Sequence, residues 1–293
     1  MQTIVTHDGS FHPDDILAVA TIKILLGDEP TTIIRTREDE VIASADWVVD
    51  VGNVYDSATQ RFDHHQNGLE VRENKIPYAA FGLVWKEFGA QICGSAEIAA
   101  DIDQLIVQPI DAGDNGVGLY DVNEYEVKPY ELFSVFSAFR PVWGNEHEND
   151  TAFVEAVDFA KMLLEKIIAH AQRAQAVRQV AEAGYQAADD KELLVFDDPV
   201  DRHMFVRYPD VKMVVYPSDV SKQKWKASTV PTGEKAFESR VDFPKDWSGL
   251  RDDELAEKTG IADAIFCHKG VFLFVAASKE SAITAAKIAL ERD

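Results

Sequence analysis

Residues 3–26, TIVTHDGSFHPDDILAVATIKILL, combine a strand, a polar loop and a helix in quick succession. Thr3–Thr6 is β-rich, and the polar residues His7–Asp14 follow it directly. Apolar residues are so dense from Asp14 to Leu26 that they predict a mostly buried helix, beginning after Pro13. This order of elements is typical of a strand-to-helix unit with a functional loop between its parts.

Two further apolar runs extend the pattern. Thr32–Arg35 and Trp47–Val51 are continuous apolar strands, the kind found in a parallel sheet that is covered on both faces. The alternation of strand and helix predicts an α/β fold, a mainly parallel sheet, and functional groups at the carboxyl ends of its strands.

The second part of the chain has a different pattern. A proline-free stretch, Thr151–Ala188, carries a helical stripe of apolar residues. Strand-like runs and a final helix follow: Leu193–Phe196, Met204–Tyr208, Lys212–Pro217, Trp225–Val230, Val271–Ala276 and Lys279–Arg292. We therefore expect two domains, residues 1–189 and a smaller α+β domain of residues 190–293, joined by the long helix.

Charge and composition exclude several classes of protein. The 293 residues carry a formal net charge of −22, and residues 1–189 hold 32 of the 51 acidic groups but only 13 of the 29 basic ones. Such acidity argues against binding along a long nucleic-acid duplex. Cys93 and Cys267 are too few for a disulfide framework or a cysteine zinc site. Lys23 interrupts the longest apolar run, so we expect a cytoplasmic protein without a membrane segment.

Four of the eight histidines lie in the first 65 residues, each near an aspartate. The clusters are THDGSFHPDD (6–15), VVDVG (48–52), RFDHHQ (61–66) and DAGDNG (111–116). Imidazole with carboxylate suits Mn²⁺, Fe²⁺, Co²⁺ or Zn²⁺, and Mg²⁺ fits where oxygens dominate. Each cluster also has an ordinary structural interpretation, such as a helix start at Asp14 and Asp15 or a turn at Asn115-Gly116. Their joint occurrence after strand and helix ends favours a metal site.

These four motifs resemble those of the melanocyte-proliferating-gene exonuclease family, relatives of the DHH phosphoesterases. The resemblance extends to FESRVDFPKDWSGLRDDELAEKTGIADAIFCHKG near the end of the chain, residues 237–270. It implies a DHH-like N-terminal domain that binds two divalent ions. By motif position, one ion would be held by His7, His12 and Asp50, and the other by Asp14, Asp50, His64 and Asp114, with Asp50 shared. His12-Pro13-Asp14 stands where DHH enzymes have Asp-x-Asp, which favours Mn²⁺ over Mg²⁺.

Other roles follow from the same comparison. Asp111 competes with Asp114 for the fourth motif, and Asp114 matches better. Asp63 would orient a histidine, and His65 would face the substrate phosphate or protonate the leaving oxygen. Arg240, His268 and Lys269 are the candidate anion-binding residues of the C-terminal domain, although the small glycines that follow this histidine in the family are absent here: the chain reads Leu273-Phe274-Val275-Ala276.

The motifs and the family resemblance together imply a metal-dependent phosphodiesterase, and the resemblance points to an exonuclease on RNA or short oligonucleotides that uses a water activated by two ions. The alternatives are a pyrophosphatase or small phosphoester hydrolase on the same scaffold, or a metal-binding regulatory protein without turnover. Digestion polarity and oligomeric state stay open, a homodimer being one option.

Overall fold

The computed structural model describes residues 1–233 and 238–292, and the chain forms two compact units, residues 1–173 and 174–293. The division falls inside one long helix, earlier than the boundary after residue 189 that the sequence suggested. The assignment of metal binding to one unit and substrate binding to the other stays a prediction.

The first unit alternates strands and helices. Its described strands are β1 (Gln2–Thr6), β2 (Thr31–Arg35), β3 (Trp47–Val49), β4 (Tyr55–Asp56) and β5 (Arg61–Phe62). Its helices are α1 (Pro13–Leu26), α2 (Asp39–Ser44), α3 (Ala80–Cys93), α4 (Ala96–Ile102), α5 (Gln108–Asp114) and α6 (Leu132–Ser137), and α7 (Asn149–Ala187) begins here. A π-helical turn, Asp103–Val107, joins α4 to α5.

The five strands form one sheet in the order β2-β1-β3-β5-β4. The first four are parallel to one another, and β4 is antiparallel to β5 at the edge. This arrangement confirms the predicted α/β class and the mainly parallel sheet. Because parallel strands run in one direction, the residues that follow β2, β1, β3 and β5 all emerge at the same edge of the sheet.

Helix α1 brings its polar start to that edge. Pro13 occupies the first turn, where its missing N–H costs nothing, and ten consecutive residues from Pro13 to Ile22 are buried. Helix α1 packs against α3, and a core that includes Ile4, Leu17 and Phe81 fills the space around them. A helix buried on nearly every side cannot move freely, so the loop before it has a fixed end.

Helix α7 is 39 residues long and contributes to a core in each unit. Phe153, Val157 and Leu164 are fully buried in the core of the first unit, whereas Ala181 belongs to a core of the second. Its apolar stripe was therefore a correct indication of a helix. In the part of the chain that the structure describes, no helix is long and apolar enough to span a membrane.

The second unit is an α+β domain built on one mixed sheet, as the sequence predicted. Its elements are β6 (Leu193–Val195), β7 (Met213–Pro217), β8 (Trp225–Thr229), α8 (Asp252–Thr259), β9 (Ala264–Cys267), β10 (Leu273–Ala276) and α9 (Lys279–Glu291). The strand order is β6-β7-β8-β10-β9, and only β6 and β7 are parallel. Alternate residues of β7 face different cores, Met213 and Val215 on one side and Val214 and Tyr216 on the other.

One predicted strand of this unit is wrong. Residues Met204–Tyr208 were expected to be extended, but Arg202–Arg207 forms a 3-10 helix. The Asp201 carboxylate accepts a hydrogen bond from the N–H of His203 at 2.9 Å and caps the turn. The apolar residues of this segment resemble those of a strand in sequence, but within the 3-10 helix only Phe205 is buried.

Candidate metal centre

Residues of all four motifs lie close together at the carboxyl edge of the first sheet. His7 follows β1, Asp50 follows β3, and Asp63, His64 and His65 follow β5. His12 and Asp14 lie at the start of α1, and Asp114 is the last residue of α5. A cleft of about 820 Å³ opens there, lined by His7, Asp8, Gly9, Ser10, His12, Arg37, Asp50, His64, His65, Gly113, Asp114 and Phe133.

His7 is held by hydrogen bonds at both ring nitrogens. Its Nδ1 donates to the backbone carbonyl of Asp8 at 2.7 Å, which directs Nε2 towards the carboxylates of Asp15 and Asp50, each 3.2 Å away. Burial alone would lower the pKa of His7, but the hydrogen bonds to Asp15 and Asp50 outweigh it and raise this pKa to about 10. The geometry therefore favours a positive charge, a proton or a metal ion, between Nε2 and these carboxylates.

Asp50 connects two histidines. Its Oδ2 lies 3.2 Å from His7 Nε2, and its Oδ1 lies 3.3 Å from His64 Nε2. Burial would raise the pKa of Asp50, yet hydrogen bonds to His64 and His7 lower it below the usual value, so the side chain is ionised. Its φ of 55° is left-handed, a conformation that aspartate and asparagine tolerate better than most residues.

His64 also faces the end of α5. Its Nε2 lies 3.3 Å from Asp114 Oδ2, so one imidazole nitrogen stands between the carboxylates of Asp50 and Asp114. Two ligand atoms that each lie about 2.1 Å from one ion at right angles are about 3 Å apart. The separations around His64 and His7 match that spacing.

Asp14 provides the sharpest test of whether a cation fits. The residue is fully buried, and neither of its carboxylate oxygens has a hydrogen-bond donor among the described residues. Burial raises the pKa of Asp14 well above its usual value, and the nearby charges of Asp50 and Asp114 and a hydrogen bond from the protonated carboxyl to Asp114 raise it further. A buried carboxylate is costly unless a proton or a metal ion neutralises it, and this donor set fits a divalent metal ion.

The ligand atoms form three overlapping groups, in each of which all atoms lie within 4.8 Å of one another. The groups are His7, His12 and Asp50; Asp50, His64 and His65; and His12, Asp14 and Asp114. The first is the ligand set that the resemblance implied for one ion. The residues implied for the second ion are divided between the other two groups. The second group shares Asp50 with the first group, and the third group shares His12 with it.

Asp63 supports His65. Its buried carboxylate lies 2.7 Å from His65 Nδ1, closer than Asp50 Oδ1 at 3.5 Å, and also accepts the N–H of Asn53 at 2.6 Å. His65 is more than half exposed and lines the cleft, so its second nitrogen is accessible to a ligand. This placement agrees with the orienting role expected of Asp63.

Asp111 and Asp114 have different surroundings. Asp111 is fully buried, its Oδ2 lies 2.7 Å from Arg72, and its Oδ1 accepts the N–H of Gly82 at 3.0 Å. Asp114 instead lines the cleft beside His64. We retain Asp114 as the proposed ligand and interpret Asp111 as a residue that joins α5 to α3.

The sequence analysis did not assign Asp15 to the site. This fully buried residue accepts the N–H of His12 at 2.9 Å through Oδ1, while its Oδ2 faces His7 at 3.2 Å. Asp15 therefore joins the start of α1 to a proposed ligand. The spacing His12-x-x-Asp15, a cap residue followed by an acidic residue in the third helical position, is the signal that could have revealed it.

The candidate anion-binding residues of the second unit differ in availability. Arg240 directs its guanidinium at four backbone carbonyls, those of Phe205, Val206, Tyr208 and Val211. These bonds give it a structural role in place of the expected anion clamp. His268 Nδ1 accepts the N–H of Gly270 at 2.9 Å, and Lys269 is exposed. Phe237, the first residue of the quoted C-terminal motif, lies outside the described residues.

Fold and site together define an α/β protein with a partly buried histidine and aspartate cluster suited to divalent cations. The chain belongs to the MYG1 exonuclease family, whose model, "Uncharacterised protein family (UPF0160)", matches residues 3–290. The match confirms the family that the motifs indicated. The relation to the DHH phosphoesterases stays a prediction.

Relatives from distant organisms cover nearly the whole chain. The MYG1 exonuclease of Homo sapiens is 29% identical over 333 residues, 98% of this chain and 85% of that protein. The MYG1 protein of Dictyostelium discoideum is 30% identical over 315 residues, 96% and 94% of the two chains. The MYG1 protein C694.04c of Schizosaccharomyces pombe is 28% identical over 321 residues, 98% and 97%.

Among solved structures, a pGpG-specific phosphodiesterase, PggH of Vibrio cholerae, aligns with 99% of this chain and 97% of its own. The sequence identity is 11% and the TM-score is 0.30. A TM-score this low supports no conclusion about fold or activity.

Proposed function

We propose that this protein is a divalent-metal-dependent phosphodiesterase that acts as an exonuclease on RNA or short oligonucleotides. The observation that carries the proposal is the fully buried, donor-free carboxylate of Asp14 beside Asp50 and Asp114, at the edge of an open cleft. Such a carboxylate is expected where a cation takes part in function. The human relative bears the name exonuclease, which agrees with this choice.

The donor set favours two divalent ions, with Mn²⁺ preferred and Mg²⁺, Co²⁺ or Zn²⁺ as alternatives, because histidines and carboxylates share the site. When bound, such ions supply a nucleophile at neutral pH and neutralise charge on phosphoryl oxygens. Asp50 would serve both positions, since each of its oxygens faces a different histidine.

His65 is the proposed proton donor to the leaving oxygen. The Asp63 carboxylate holds Nδ1, so the proton that moves is carried by Nε2. The exposure of the His65 side chain, 57%, gives that nitrogen access to a substrate in the cleft.

A neighbouring cavity favours a nucleotide substrate over pyrophosphate. It has a volume of about 390 Å³, it is lined mainly by apolar residues such as Ile106 and Leu119, and it shares Gly113 and Phe133 with the metal cleft. Pyrophosphate has no apolar part, whereas a nucleobase buries an aromatic face against such a surface. The cavity is therefore an argument for an organic group next to the scissile phosphate.

The strong net negative charge favours short, end-held substrates, because a long polymer would bring many phosphates to an acidic surface. The homodimer and the cytoplasmic location stay predictions.

The test is a hydrolysis panel with Mn²⁺: bis-p-nitrophenyl phosphate, pyrophosphate, dinucleotides, and RNA labelled at the 5′ or 3′ end. Metal-dependent release of mononucleotides supports the proposal. Turnover of pyrophosphate alone supports the alternative of a pyrophosphatase or small phosphoester hydrolase. No turnover of any member, together with tight Mn²⁺ binding by calorimetry, selects a metal-binding regulatory protein.

A further inference from the structure

Arg37 stands at the same sheet edge as the proposed ligands. It lies two residues beyond the end of β2, the strand that neighbours β1, so it emerges beside His7. Its side chain lines the metal cleft and also a second cleft of about 320 Å³. Both clefts also include Asp50 and His65, which places Arg37 at their junction.

The nearby Arg35 is engaged in structure. Its side chain is 2% exposed, bonds to Asp150 at 3.0 Å and to the Gly9 carbonyl at 2.7 Å, and stacks over Phe153. Arg37 is different, because 64% of its side chain is exposed and its described hydrogen bond joins Nε to Asp8 Oδ1 at 3.1 Å. Asp8 is itself 57% exposed, and ion pairs between exposed groups are weak.

The cleft needs such a cation. Its described lining includes the carboxylates of Asp8, Asp50 and Asp114, and Arg37 is the only lysine or arginine among those lining residues. A phosphodiester carries a negative charge that must approach these carboxylates. Arginine matches phosphate oxygens geometrically through its planar N–H groups.

We propose that Arg37 is a substrate-positioning residue that donates hydrogen bonds to a non-bridging phosphate oxygen, exchanging Asp8 for the substrate. The inference rests on the proposed function. It assigns the positively charged group that binds the phosphate to the first unit. Asp8 then acts as a competitor that keeps Arg37 oriented towards the cleft until a phosphate arrives. The Asp8 backbone carbonyl binds His7 Nδ1, so replacing only the side chain leaves that contact in place.

The test measures binding of inorganic phosphate by calorimetry with saturating Mn²⁺, and it uses the full chain. Arg37→Ala should weaken phosphate binding roughly tenfold, the loss expected for one charge-assisted contact, while Mn²⁺ stoichiometry stays unchanged. Arg37→Lys should recover part of the affinity, and Asp8→Asn should tighten binding about twofold because the competitor is gone. Lys161→Ala is the matched control, since Lys161 pairs with Glu165 away from the clefts.

Three results would overturn the proposal. The first is phosphate affinity in Arg37→Ala equal to that of the wild type, and the second is no phosphate binding by the wild type with Mn²⁺. The third is equal weakening in Lys161→Ala, which would indicate a general charge effect. With a dinucleotide substrate, Arg37→Ala should raise KM more than it lowers kcat. Phosphate binding can be measured without turnover, so it tests the role of Arg37 alone. The exonuclease assignment is tested separately, by the hydrolysis panel.

Discussion

Asp63 Oδ1 accepts two hydrogen bonds from His65, one from the backbone N–H at 3.1 Å and one from the ring Nδ1 at 2.7 Å. The ring is thus fixed to its own backbone through a carboxylate that is 1% exposed. An imidazole held in this way presents one nitrogen to the cleft in a constant orientation. That is the arrangement expected of a group that transfers a proton.

The first prediction concerns this proton. His65→Gln should lower dinucleotide hydrolysis by roughly 10²-fold or more, because a nucleoside alkoxide leaves poorly without protonation. Hydrolysis of bis-p-nitrophenyl phosphate should fall much less, since nitrophenolate leaves without a proton. Initial rates with both substrates measure the difference, and the exposed His147→Gln is the control. Equal losses on the two substrates would show that His65 does not protonate the leaving group.

The second prediction concerns the shared carboxylate. Asp50→Asn should cause loss of bound Mn²⁺ and a fall in rate of roughly 10²-fold or more, because one charge between His7 and His64 is removed. Asparagine suits the left-handed backbone at this position, so the fold should persist. Metal analysis and circular dichroism measure both effects. Asp46→Asn, at the other end of the same strand, is the control, and full activity with two bound ions in Asp50→Asn would refute the assignment.

The third prediction separates Asp114 from Asp111. Asp114→Ala should weaken Mn²⁺ binding in a calorimetric titration with little change in stability. Asp111→Ala should lower the free energy of unfolding by about 1–3 kcal/mol, because it removes one of the two carboxylates that pair with the buried Arg72. Urea unfolding measures this loss. A loss of metal binding confined to Asp111→Ala would exchange the two assignments.

The fourth prediction concerns the protein without metal. Asp14→Asn should raise its free energy of unfolding by about 1–4 kcal/mol, because the buried Asp14 carboxyl, whose pKa is raised, must take up a proton on folding at neutral pH, whereas asparagine is neutral in both states. The same variant should lose the stabilisation that Mn²⁺ gives the wild type. Urea unfolding with EDTA and with Mn²⁺ measures both quantities. Asp158→Asn, on the surface, should stay within about 0.5 kcal/mol of the wild type. A destabilised Asp14→Asn in EDTA would show that this carboxylate has a structural partner.

The fifth prediction concerns the second unit. Arg240→Ala should lower the melting temperature, because several backbone carbonyls lose their donor. Lys269→Ala and His268→Ala should instead raise KM while Mn²⁺ stoichiometry stays intact. Thermal denaturation and steady-state kinetics with a dinucleotide distinguish the two outcomes. Unchanged KM in both Lys269→Ala and His268→Ala would remove these residues from substrate binding.

The sequence predicted the elements that have a strong local signal. A helix from Asp14 to Leu26 was expected because apolar residues are dense there and proline favours a first turn, and the structure has a helix from Pro13 to Leu26. Strands β4 and β5 have two residues each, too few for any periodicity, so their pairing arises from tertiary structure. Asp50 was expected at the end of a strand, Trp47–Val51, whereas β3 ends at Val49 and Asp50 follows it.

Apart from the ligand sets that the family resemblance implied, contacts in the site were predictable where residues are close in sequence and unpredictable where they are distant. The sequence predicted that Asp63 orients a histidine, and in the structure its carboxylate contacts His65, two residues away; the role itself stays a prediction. Arg240 was mistaken for a free cation, because its carbonyl partners lie about thirty residues earlier in a segment expected to be a strand. Arg37 was overlooked because no histidine or aspartate motif surrounds it.

The left-handed backbone at Asp50 also limits how the metal preference of the site can be changed. A cysteine there would have to adopt a φ of 55° and still reach both His7 and His64, which a short carboxylate does. His12 has no such restriction, since its φ is −127° and its side chain is exposed. Engineering towards a harder ion such as Mg²⁺ would therefore begin at His12, where exchange for aspartate adds an oxygen ligand without straining the chain.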